Sequence, residues 1–179
     1  LNNIAESINA SSFPERTDYL LDDYSGAAAA YSLRKIREGY TGPLVRVRRD
    51  NDHAEAFVFP DSNGTISDSS VVDATITEIS VVTAGDTPTS VPATASTLGE
   101  FMGSNNGYVV EWHDQANDSP NQNNAVQEVR DKQPNIYNST TGVRRDANNK
   151  PIITRSALNQ AMYTDYAYNV GAKRSMVFV

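Results

Sequence analysis

Gly107-Tyr108-Val109-Val110-Glu111-Trp112-His113-Asp114-Gln115 is the stretch on which the reading of the fold turns. Its β-branched and aromatic residues favour an extended chain. In such a chain Tyr108, Val110 and Trp112 fall on one face, and Val109, Glu111 and His113 on the other. Asp114-Gln115 then opens a long polar loop, Asp114–Asn124. A strand with this alternation, followed by a polar loop, belongs to an antiparallel sheet with one covered face.

Working outward, Leu44–Arg49 alternates as well, with Val45 and Val47 on one face and Leu44, Arg46 and Arg48 on the other. Asp50-Asn51-Asp52 predicts a turn and Ala54–Phe59 the return strand of a hairpin. Pro60-Asp61-Ser62-Asn63-Gly64 predicts a further turn. Val71–Val82 reads as one or two strands, and Pro134–Tyr137, Pro151–Thr154 and Ser175–Val179 as short ones. Ala84–Ala95 reads as a surface loop and Gly142–Lys150 as a polar turn. A short helix is expected over Ile4–Ile8, and two more are predicted after it. Ser25–Gly39 combines a capping serine, the run Ala27–Ala30 and an apolar face of Ala29, Leu33, Ile36 and Tyr40. Thr97–Met102 is the second and shorter one. The fold class expected is mainly β, an antiparallel sandwich with one N-terminal α-helix.

The chain has 179 residues, enough for one domain with an arm. The polar, Asn- and Ser-rich segment Leu1–Asp23 is expected to be that arm, flexible or packed on a neighbouring subunit, with the sandwich over residues 24–179. The closing apolar run Ser175–Val179 has no turn after it, so the domain is expected to continue past it. With 15 Lys and Arg against 22 Asp and Glu, the net charge of −7 argues against a nucleic-acid partner. No apolar run approaches the ~20 residues of a membrane-spanning helix. Cysteine is absent, which excludes disulfides and thiolate metal sites.

Three blocks occur together and in order. They are Tyr24-Ser25-Gly26-Ala27-Ala28-Ala29-Ala30-Tyr31-Ser32-Leu33-Arg34, Tyr40-Thr41-Gly42-Pro43-Leu44-Val45-Arg46-Val47-Arg48-Arg49 with Asp52 and Glu55, and the Gly107–Gln115 stretch with its Asn-rich loop and Gln133-Pro134. The region Asp22–Pro134 resembles the N-terminal part of the concanavalin A-like (laminin-G-like jelly-roll) domains of phage and other virion proteins. It is also similar to the catalytic domain of the B-type α-L-arabinofuranosidases. The resemblance implies a jelly roll and a virion structural role. It departs from the usual pattern at His113, where the family carries Tyr, and in the loop Asp114-Gln115-Ala116-Asn117-Asp118, longer than usual and without its glycine. The cysteines that the enzymes use in this region are missing, and no catalytic residue is carried over.

Candidate sites follow from residue chemistry. Glu111 and Asp114, with His113 between them, are a conceivable acid–base pair, but Asp114 and Gln115 fit better as hydrogen-bond partners of the backbone where strand becomes loop. Asp114, Asn117, Asp118 and Asn121 offer hard oxygen ligands suited to calcium, without EF-hand spacing; no other cofactor is expected. Arg46, Arg48 and Arg49 either hold an anion or pair with Asp50, Asp52 and Glu55 across the hairpin, and the pairing is the expected outcome. His53 reads as a lone turn histidine. Trp112 and Tyr108 read as core rather than as a sugar platform. Tyr163, Tyr166 and Tyr168, with Asn117 and Asn121, are the expected contacts for a glycan or protein partner. The function expected is a non-enzymatic virion component, in a phage tail, fibre or capsid surface, working as a homo-oligomer that touches other subunits or a host glycan. The alternatives are an arabinofuranosidase-type glycoside hydrolase and a free carbohydrate-binding module.

Overall fold

In the computed structural model, residues 19–73, 95–118, 122–164 and 176–178 are described. The expected helix of Ile4–Ile8, the loop 84–94, and the candidate contacts Asn121, Tyr166 and Tyr168 lie outside them.

The chain is mainly β. The predicted hairpin is present as β2 (Val45–Arg49) and β3 (Glu55–Val58), antiparallel with Val45 opposite Val58 and Arg48 opposite Glu55. Its turn is closed by Arg49 N–H on the Ala54 carbonyl at 3.0 Å, with the Arg49 guanidinium forked onto Asp52 at 2.7 and 2.6 Å. The quoted stretch forms β5 (Gly107–Trp112), paired with β2 on its other side. Two short strands border β5 at opposite ends, β6 (Ala125–Val126) and β7 (Asn135–Asn138). With β4 (Val72–Asp73) and β8 (Gly142–Val143) at the edges, the order is β4-β3-β2-β5-β7-β8, and β6 lies beside β5. The polar turn expected over Gly142–Lys150 therefore starts with a strand. Pro151–Thr154 makes only isolated bridges, Pro151 with Arg145 and Thr154 with Asn135.

The helix expected over Ser25–Gly39 does not form. Its place is taken by β1 (Ala29–Tyr31), which pairs in parallel with β9 (Met176–Phe178), and by an irregular chain after it. Alanine propensity is worth only tenths of a kcal/mol per residue. Hydrogen bonds from a distant loop outweigh it, as described below. Among the described residues the α-helices are a single turn, α1 (Leu20–Asp23), and the predicted short helix, α2 (Leu98–Met102), beside one 3-10 turn at Arg130–Lys132. The α2 N-terminus carries a capping box: Thr97 accepts from the Glu100 N–H and Glu100 reaches back to the Thr97 N–H.

The core lies between the sheet and α2. Val45, Val47, Ala56, Val58 and Val109 point there from the sheet, against Leu98, Phe101 and Met102 of the helix. The sequence places Val109 and Trp112 on opposite faces, and here the structure corrects it. Arg46 sits opposite Glu111 but Val47 opposite Val109, so Val110 is an extra residue, a β-bulge. The bulge turns the alternation over. Trp112, opposite Val45, packs against the core, while Tyr108 and Glu111 sit opposite Arg48 and Arg46.

Leu21 of α1 is buried against Ala30 and Ile36, and its N–H bonds the Ile36 carbonyl at 2.8 Å. The last residues of the expected arm thus pack on the body of the chain.

Candidate functional site

Two polar assemblies grow from the end of β5. The first is centred on Asp114. One carboxylate oxygen accepts the N–H of Ala30 at 2.9 Å and of Ala116 at 2.8 Å. The other accepts the Asn117 side-chain amide at 2.7 Å and the Asn123 N–H at 3.1 Å. Gln115 completes the grip. Its Oε1 accepts the Ile36 N–H at 3.0 Å, and its Nε2 donates to the carbonyls of Ser32 and Arg34 at 3.2 and 3.0 Å. Asn117 and Asn123 both donate to the Ala28 carbonyl at 3.0 Å. Both acidic and amide side chains are fully buried, so each bond replaces water that the backbone of residues 28–36 would otherwise need. Asp114 and Gln115 therefore hold backbone, as their residue types imply. Asn117 spends its amide on the same clamp. Asp118 points elsewhere, into an exposed ion pair with Arg37 that keeps its carboxyl below the usual value. Among the described residues no three His, Asp or Glu side chains gather as a metal site.

The second assembly lies on the opposite face of the sheet from the core. Arg46 bridges two carboxylates, Glu55 at 3.0 Å and Glu111 at 3.1 Å. Glu55 is 2% exposed. Burial pushes its carboxyl above the ordinary value, against the pull of Arg46 and Arg48. Arg48 donates to Gln133 at 2.7 Å and lies 2.9 Å from His53 Nδ1, with its guanidinium over the Tyr108 ring at 5.1 Å. The pairings expected across the hairpin are thus present for Arg46 with Glu55 and Arg49 with Asp52, while Asp50 bonds Asn106 and Arg48 turns to Gln133.

His113 joins the two assemblies. Its ring is buried edge-on to Phe57. Asn124 fixes its protonation. The Asn124 Oδ1 accepts the Asp114 N–H at 2.9 Å and its Nδ2 donates to Glu111 at 2.7 Å, so the amide has one orientation. Its Nδ2 lies 3.3 Å from His113 Nδ1, which must then be the acceptor nitrogen. This assigns the neutral ring its proton on Nε2, which lies 4.0 Å from Glu111 and has no hydrogen-bond partner among the described residues. Burial holds its pKa below the ordinary value; Glu111 raises it and Arg46 lowers it further. Glu111 and Asp114 therefore have separate partners and do not face one another as an acid–base pair.

Tyr163 is 60% exposed and tied by its backbone to Val126 at 2.9 Å. The partners that sequence reasoning missed are Gln122, Asn123 and Asn124, whose order in an Asn-rich loop carries no local signal. No family model, curated protein or solved structure matches this chain.

Proposed function

We propose that the chain is a non-enzymatic virion structural protein. Its sheet is one layer of a concanavalin A-like sandwich in a tail, fibre or capsid-surface component. It works as a homo-oligomer among other virion subunits, with Tyr163 and the neighbouring loops turned to a subunit or host glycan. The observation that carries the reading is the state of the carboxylates near β5. Glu55 and Glu111 share one guanidinium, and Asp114 has a backbone or amide donor on each oxygen. Such groups rigidify a scaffold, whereas a glycosidase needs an accessible acid and base astride its substrate. The three blocks of the resemblance add support, because the third clamps the backbone of the first and pairs with the second.

Electron microscopy of particles from the native source tests the reading. Many copies at symmetry-related positions are expected. A free monomer, or hydrolysis of an aryl arabinofuranoside by the full-length protein, overturns it in favour of a binding module or an enzyme.

A further inference from the structure

We propose that the cavity between the Trp112 end of β5 and residues 151–162 binds a small organic carboxylate with an apolar body. The cavity measures about 410 Å³, within the ~300–1,000 Å³ usual for small-ligand sites. Leu33, Trp112, Ile153 and Met162 supply its apolar walls.

The polar side chains of the lining share one character. Gln160 spends its Oε1 on the N–H groups of Ser156 and Ala157, at 2.6 and 3.3 Å, which leaves its Nε2 as a donor with no partner among the described residues. Arg155 is exposed and has no ion pair or hydrogen bond among the described residues. Both are donors, one is a cation, and the lining holds no Asp or Glu, in a chain of net charge −7. This contrasts with Arg46, which two carboxylates already neutralise. An acceptor-bearing anion complements the cavity. The apolar walls select its body, because a sugar would leave most of its hydroxyls against carbon without partners.

Trp112 is the only tryptophan of the chain, so its fluorescence reports on the cavity. Titration of the full chain with decanoate is expected to give a saturable change, and decan-1-ol a weaker one. Arg155→Gln is expected to weaken decanoate about tenfold and to leave decan-1-ol unchanged. Arg155 is exposed, so the variant keeps the fold, and circular dichroism checks it. A second variant, Ala161→Phe, fills the cavity while keeping Trp112 as the single tryptophan, and is expected to abolish both responses. Absence of a saturable change overturns the proposal. So does equal binding of acid and alcohol with no effect of Arg155→Gln.

Discussion

The Asp114 carboxylate accepts the backbone N–H of Ala30, 84 residues earlier in the chain, at 2.9 Å and in a fully buried setting. This bond and its neighbours replace a helix with a strand. They explain why a segment rich in helix-forming alanines lies extended against the loop after β5. Asp114→Asn keeps the size but sets an NH₂ group against N–H donors. It is expected to destabilise the protein by about 2–3 kcal/mol, and Asp114→Ala by at least as much. Urea unfolding followed by tryptophan fluorescence measures both. A loss under 1 kcal/mol for Asp114→Ala would show the clamp to be incidental.

What was legible in the sequence follows from the range of the forces involved. The β2–β3 hairpin and α2 were readable because alternation, turn residues and the Thr97–Glu100 capping box act within a few residues. The Ser25–Gly39 segment was misread because its conformation is decided by Asp114 and Gln115, far along the chain. The bulge at Val110 was hidden for a related reason. One extra residue reverses every face after it, yet the sequence of β5 alternates equally well without it. The pairing of Arg46 with Glu111 depends on that register.

Arg46 is the only cation bonded to both Glu55 and Glu111 among the described residues. Arg46→Met leaves the buried Glu55 facing Glu111 without it. A loss of about 3–5 kcal/mol is expected, as for other buried pairs broken from one side. Replacing all three residues by apolar ones of similar size should recover much of that loss. If the triple variant is no more stable than Arg46→Met alone, the cost lies in packing and not in stranded charge.

Gly142 opens β8 at φ +79°, and a Cβ there would meet the Asp68 carboxylate at 2.5 Å. That carboxylate accepts the Val143 N–H at 3.0 Å. Gly142→Ala therefore combines backbone strain with a displaced hydrogen bond, and about 1–3 kcal/mol of destabilisation is expected. Gly26 also has positive φ but open space around it, so Gly26→Ala tests the strain alone and is expected to cost less. Equal losses would mean that Asp68 yields freely.

Acid should weaken the protein through His113. Protonation puts an N–H on Nδ1, facing the Asn124 amide nitrogen, and donor then meets donor. Asn124 cannot turn round without losing Glu111 or the Asp114 N–H. The native pKa lies below the ordinary value of 6.5, so between the two the unfolded chain binds more protons. Stability is therefore unaffected above about pH 7 and falls as pH drops through 6.5, with a slope approaching about 1.4 kcal/mol per unit. Glu55 acts the other way. Its native pKa is raised above 4.5, so its contribution is lost as pH rises through that native value. Comparing wild type with His113→Gln isolates the histidine. Unfolding free energies at several pH values from about 5 to 8 should converge in slope above neutrality, and only wild type should steepen below it. Parallel profiles across the whole range would show that His113 titrates as it does in an unfolded chain, and the assigned tautomer would fall with it.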